Sequence, residues 1–313
     1  MVYEQFLEAV RWELEQRVEP DCRVRLVQIP KNNGVLLDSV TFTRPSSRFS
    51  PTVYLNALYD SYLSGTPIRR IAEVLLEASG QNSPLSEDRC GRLLDFSQAS
   101  RLLAFRLVNT GANRTALAAM PHREFLDLSL VYYLLLDDSP DCQMTSAVTS
   151  QCAESWGVDE EEIYRAAAAN TPSLLPHRLD SMTSVMERIT GKPAREHGPD
   201  GFPHDDLFVL TNCRGLNGAA CMLYPGILKD FASRAGKDLV IFPSSIHEVL
   251  LLPLNDAGNY QEMNRMVAAV NSAEVPVEDR LADHIYLFSL KSGRISIPGN
   301  VQGSGITAPV LNL

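Results

Sequence analysis

The chain lacks most of the short motifs that announce a chemistry. There is no G-x-S-x-G elbow, no H-E-x-x-H, no G-x-x-x-x-G-K-[ST] and no G-x-G-x-x-G. A serine hydrolase of the α/β type, a zinc protease, a P-loop nucleotidase and a dinucleotide-binding fold therefore have no signature here. No C-x-x-C occurs among the six cysteines (Cys22, Cys90, Cys142, Cys152, Cys213 and Cys221), and their spacing is wide and irregular. That argues against a structural zinc site and a disulfide framework, and leaves small buried thiols as the expectation. No run of lysines or arginines exists, and the formal net charge is −10. A nucleic-acid face and an anionic membrane surface are both disfavoured by that balance.

Long hydrophobic runs are missing as well. The longest lies between Asp127 and Asp137, far short of the roughly 20 residues that cross a bilayer. The first residues, MVYEQFLEAVRWELEQRV, have neither a basic n-region nor a small-residue cleavage site, so no signal peptide is expected. These readings lead to a soluble, cytoplasmic protein.

What is present is ordinary globular composition, 45% hydrophobic and 21% charged over 313 residues, enough for a sizeable core. Residues 2–17 carry apolar groups at helical spacing, CRVRLVQI and VLLDSVTFTR alternate like two strands around the turn PKNNG, and NALYDSYLSG and IRRIAEVLLEAS read as helices. LLAFRLVN, FLDLSLVYYLLL and MTSAVT are strand candidates, SQCAESW and DEEEIYRAAAA helices. The acids Asp159 to Glu162 suit the first turn of the latter. DLFVLTNC and AACMLY are expected to form a hairpin around RGLNG. The remainder reads as helix PGILKDFASRAG, strands DLVIFP and HEVLLLPL, helix NYQEMNRMVAAVNS and a last hairpin around Lys291-Ser292-Gly293. Strand pairs broken by helices imply an α+β fold with antiparallel hairpins and sheets. The Gly, Pro and charge content of 191–206 suggests a linker, giving lobes at 1–190 and 207–313 or one continuous domain.

Several of these blocks resemble, in order, an uncharacterised bacterial family, domain of unknown function 5688. They are PTVYLNALYDSYLSG, NTGANRTALAAMPHREFLDLS, NTPSLLP, VLTNCRGLNGAACMLYPGIL, FPSSIHEVLLLP and MVAAVNSAEVPVEDRLADHIY. Ala282 departs from the family's "LSD" pattern, where serine is expected. The resemblance implies a cytoplasmic bacterial α+β protein. It implies no activity and carries no catalytic residue.

Four stretches hold candidate chemistry. FPSSIHEVLLLP offers Ser244, Ser245, His247 and Glu248. Neighbours at a strand start face opposite sides and do not easily serve one triad, so a structural corner is the favoured reading, with serines satisfying turn amides. EHGPDGFPHDD holds Glu196, His197, Asp200, His204, Asp205 and Asp206, which have metal-ligand chemistry in a segment that nothing fixes; no metal and no cofactor is expected. LTNCRGLNGAA, with Asn212, reads as a tight turn before an anion nest. NTGANRTALAAMPHREFLD supplies Asn109, Asn113, Arg114, His122, Arg123 and Asp127. There Asp127 is expected on a half-buried strand with Arg114 or Arg123 as partner. His177 and His284 stand alone and are expected to be surface or satisfied core residues.

Two functions follow from different classes. The favoured one is a protein-binding or regulatory module whose partner is a protein or a small molecule. The alternative is a hydrolase or transferase in which His247 or Glu248 converges with Asp127, with Ser245 nearby. Asn109, Asn113, Arg114 and Asn212 are the candidate binding residues. The sequence leaves oligomeric state open.

Overall fold

Helical spacing of apolar residues is what buries the first helix of the chain. In α1 (Tyr3–Glu15), Phe6, Val10 and Leu14 recur on one face and are fully buried. The computed structural model describes residues 1–45, 52–79, 93, 95–139, 142–191, 207–243, 245–254, 259–299 and 307–309. It divides the chain into two compact units, Met1–Ala99 and Ser100–Leu313.

In the first unit, β1 (Arg23–Pro30) and β2 (Leu36–Thr43) form the expected hairpin, and β3 (Thr52–Tyr54) adds to the far side of β2. The turn between the first two strands carries Asn33 at φ +58° and Gly34 at φ +74°, left-handed positions that asparagine and glycine tolerate. One sheet face, with Val24, Val40 and Phe42, packs with α1 and with α3 (Ile68–Ala78), whose Ile71, Ala72 and Leu75 are buried. The short α2 (Asn56–Leu63) contributes Tyr59 and Tyr62 to an aromatic cluster with Tyr3 and Phe6. A single turn, α4 (Phe96–Ala99), ends the unit.

The second unit holds two antiparallel sheets. The smaller is organised on β6 (Leu128–Ser139), which β4 (Leu103–Asn109) flanks along one edge. Its other edge is shared, first by β5 (His122–Phe125) and then by β7 (Cys142–Ala147). Every residue from Leu130 to Leu136 is buried, which explains the unbroken apolar run: a strand covered on both faces has no polar side to alternate with. The one-turn α5 (Arg114–Leu117) lies between β4 and β5, and α6 (Ser150–Trp156) follows β7. Helix α7 (Glu160–Leu174) packs on β4, where Thr171 accepts from the Phe105 amide (3.1 Å). Its N-terminus is a complete capping box between Asp159 and Glu162.

The larger sheet has the order β14-β13-β12-β10-β11-β9-β8, all antiparallel. Its strands are β8 (His177–Ser181), β9 (Phe208–Asn212), β10 (Leu239–Phe242), β11 (Val249–Pro253), β12 (Tyr286–Ser289), β13 (Arg294–Ser296) and β14 (Thr307–Pro309). Three helices interrupt them: α8 (Met182–Thr190), α9 (Ile227–Ala235) and α10 (Tyr260–Glu274). The segment 191–206, read from its composition as a linker, falls between β8 and β9, which are neighbours in this sheet; of it, only Gly191 is among the described residues.

Two expected elements differ. AACMLY is not a strand: Gly218–Leu223 is a fully buried 3-10 turn. The reason is that both edges of β9 are already taken, by β11 and β8, and Asn217 at φ +56° turns the chain away. FLDLSLVYYLLL is not one strand either. It breaks at Leu126-Asp127, a two-residue connection between β5 and β6 with Leu126 at φ +58°, the positive value that tight hairpins need at such positions.

Candidate functional site

That break places Asp127 at a hairpin tip instead of within a strand. Its carboxylate takes partners from far along the chain. His284 Nε2 lies 2.9 Å from Oδ2, and the Tyr286 hydroxyl donates to Oδ1 at 2.7 Å. His284 sits at a bend and Tyr286 opens β12 two residues on, and both reach the same carboxylate. Their rings meet edge-on with centroids 4.9 Å apart. Arg114, exposed at the start of α5, and Arg123 are not the partners of Asp127. Arg123 instead binds Glu160 (2.7 Å) and Glu161 and stacks 3.7 Å over the Tyr164 ring, while Tyr132 donates to Glu160. The acidic first turn of α7 is thus a structural dock for β5.

The hydrogen bonds define the protonation of His284. Its Nδ1 faces the Ile285 carbonyl at 3.0 Å, and a carbonyl only accepts. Nε2 faces a carboxylate. Both ring nitrogens therefore donate, and the ring is an imidazolium. Burial works against that charge, but the bond to Asp127, the Ile285 carbonyl and the nearby carboxylates of Asp127 and Asp283 outweigh it and raise the His284 pKa above its ordinary value. Burial likewise opposes charge on Asp127, yet the bonds from His284 and Tyr286 hold its carboxyl below the usual range. Tyr286, fully buried and facing that carboxylate, is pushed well above an ordinary phenol.

The second histidine stands in a corner closed in the same manner. Ser245, nearly buried, accepts the His247 amide on its Oγ at 3.0 Å, the turn-satisfying role expected of it; Ser244 lies outside the described residues. The Asn217 amide donates to His247 Nδ1 (3.2 Å), so the ring proton sits on Nε2, which reaches Asp279 Oδ1 at 3.1 Å. Thr211 Oγ1 donates to the His247 carbonyl at 2.8 Å. Glu248 is half-buried just before β11, so the pair precedes the strand it was expected to start. His247 and Asp127 spend their ring nitrogens and carboxylate oxygens on different partners and do not bond to each other.

The asparagines close loops. Asn109 accepts from the Ala112 amide (2.9 Å) and donates to the Leu281 carbonyl (3.0 Å), and Asn113 donates to the Asn109 carbonyl (2.8 Å). Asn212 spans its own turn, donating to Leu216 and accepting from the Arg214 amide. Two further asparagines, not singled out from the sequence, act on the same 276–286 segment. Asn271 donates to the Ala282 carbonyl and to Asp283, each at 2.9 Å, and Asn264 accepts the Ile285 amide. With Ile246 donating to the Asp279 carbonyl at 2.7 Å, VEDRLADHIY is tied to α10, β4, the β5–β6 tip and the corner before β11. Among the described residues no group of three or more His, Cys, Asp or Glu is placed to hold a metal ion; the acids and histidines of 196–206 lie outside them.

Sequence reasoning missed Tyr286 and Asp279; His284, expected to be a surface or satisfied core residue, is half-buried with both ring nitrogens bonded.

A chain folded this way, with the 276–286 segment sewn to β4, the β5–β6 tip and α10, belongs to a family of unknown function (DUF5688), whose model matches residues 3–290. No curated protein and no solved structure matches the chain. No helix among the described residues is long and apolar enough to cross a membrane.

Proposed function

We propose that this protein works by holding a protein partner, as a binding or regulatory module of the bacterial cytoplasm, and not by catalysing a reaction. The observation that carries the reading is the state of the two histidines. A general base needs a ring nitrogen with a free lone pair in reach of substrate. His284 donates from both nitrogens, and His247 has one nitrogen capped by a backbone amide and the other on Asp279. Each is spent on holding a loop. The hydrolase or transferase alternative needs His247 or Glu248 to meet Asp127, whereas Asp127 is occupied by His284 and Tyr286.

The test uses the full chain in an extract of its source organism. A complex of defined stoichiometry that survives gel filtration, and that excess untagged chain displaces, is the expected result. Depletion of a small molecule by the chain, abolished in His247→Gln or His284→Gln and with no complex formed, overturns the reading.

A further inference from the structure

The partner-binding reading leads to a specific surface, the free side of β1. All eight residues of this strand pair with β2, from Arg23 opposite Thr43 to Pro30 opposite Leu36, and β1 is the edge of its sheet. Among the described residues, the backbone groups on its other side take no hydrogen bond. An open edge of that length is a template for one more strand, unless charge or a proline guards it.

The side chains beside the edge are not neutral about what is added. Val24 and Leu26 face the core of the unit, so Arg23, Arg25, Val27 and Ile29 share the opposite face. Arg23 and Arg25 are exposed and have no carboxylate partner among the described residues. In a chain of net charge −10, these two arginines put positive charge on the open edge. Next to them lies a shallow depression of about 470 Å³ with a mostly polar lining, in which Val18, Pro20, Cys22 and Val24 are the apolar members. The two acids at its rim are already answered, Glu15 by Arg11 (3.8 Å) and Glu19 by Arg44 (3.7 Å).

We propose that an extended acidic segment of the partner adds to β1 as a fourth, antiparallel strand, with two carboxylates opposite Arg23 and Arg25. In an antiparallel pair, directly opposed residues share a face. The acids are therefore two residues apart, and the residue between them, opposite Val24, turns to the other face and enters the depression. Residues opposite Ile29 and Val27 are apolar. Read from its N-terminus, the segment is apolar-x-apolar-x-acid-apolar-acid. This inference rests on the partner-binding reading and gives the partner's chemistry.

The experiment titrates the full chain into a capped, fluorescent peptide, VTITEVE, and follows anisotropy. Saturable binding is expected, at least about tenfold weaker for VTITKVK. The Arg23→Glu/Arg25→Glu protein should reverse that preference, and a VTITEVE probe N-methylated on alternate residues should not bind. Both arginines are exposed, so the double variant should melt as wild type does. Equal binding of the two peptides, or none at about 1 mM, overturns the proposal. So does self-association of the double variant without peptide binding, which would make the arginines guards of the edge. A complex in extract that the double variant still forms rejects the β1 site and leaves the partner-binding reading standing. Loss of that complex in both proteins rejects the reading itself.

Discussion

Replacing Asp127 by alanine tests the reading of the Asp127–His284–Tyr286 cluster directly. The substitution removes two hydrogen bonds to a charged acceptor, 2.9 and 2.7 Å long. Each such bond contributes about 1.5–3 kcal/mol, but the two are not equivalent. The His284 and Asp127 side chains are 25% and 35% exposed, so water replaces much of what His284 loses, and about 1 kcal/mol is expected from that arm. Tyr286 is fully buried. Its orphaned hydroxyl costs about 2–3 kcal/mol. The sum, about 3–4 kcal/mol, lowers the melting temperature by about 10 °C for a unit the size of Ser100–Leu313. Adding Tyr286→Phe removes the orphan and should return about 1–2 kcal/mol, a coupling that a double-mutant cycle reads.

The same pair dictates a pH dependence. His284 is raised from 6.5 on folding, so its contribution is complete below 6.5 and is lost as pH rises through its folded value. Asp127 is lowered from 3.8, so its contribution is complete above 3.8 and is lost as pH falls through its folded value. The cost of Asp127→Ala is therefore greatest between 3.8 and 6.5 and shrinks above that window by about 1 kcal/mol, the His284 arm. Thermal melts of wild type and variant at pH 6 and pH 9 measure it. A cost that does not change with pH would refute the imidazolium assignment. A Tyr286→Phe background that recovers nothing would refute the buried-hydroxyl argument.

Gly218→Ala should destabilise by about 3 kcal/mol or more, because a Cβ there would meet Thr211 Oγ1 and lie 2.5 Å from the His247 carbonyl and 2.7 Å from the Asn212 amide; a urea titration reads the loss. Leu126→Asn should stabilise by about 1 kcal/mol, since φ +58° penalises a leucine more than an asparagine; no change in melting temperature would count against strain at this tip. Cys213 is exposed, while burial pushes the Cys221 thiol up to about 12. A maleimide should label the first in the folded chain and the second only in denaturant, as mass spectrometry of tryptic peptides would show.

Most elements were legible because their apolar periods are local. α1, the β1–β2 hairpin, α7 with its acidic start, α9 and α10 follow from spacing and caps. What was illegible depended on occupancy elsewhere. AACMLY has strand composition, but β9 had no free edge to offer it. FLDLSL alternates well enough, and only pairing of Phe125 with Leu128 shows that the chain doubles back at Asp127. The candidate site was half visible for the same reason. Asp127 and Asn109 were singled out as dense polar groups and His247 as one of a polar pair at a strand start, but their partners lie at His284, Leu281 and Asp279, and no local pattern specifies a contact over more than 150 residues, as between Asp127 and His284.

The tying of 276–286 bears on why a chain would bury so much polarity in one loop. Anchors come from β4, the β5–β6 tip, α10 and the corner before β11, through Asn109, Asp127, Asn264, Asn271 and Ile246. A loop that only had to connect α10 to β12 needs none of them, and each buried polar pair roughly breaks even against an apolar replacement. Their value is therefore in geometry. Apolar contacts tolerate sliding, while a carboxylate that must meet two donors at once does not. Asp127 joins the smaller sheet to the start of β12 in the larger one at a single register, with Leu126 held at positive φ to present it. If that is its role, Asp127→Asn, which keeps an acceptor for Tyr286 but gives up the charge on which the His284 imidazolium depends, should lose less stability than Asp127→Ala and should lose nearly all of the pH dependence. An Asp127→Asn variant that keeps the wild-type pH profile would mean that His284 is held by the Ile285 carbonyl and Asp283 alone.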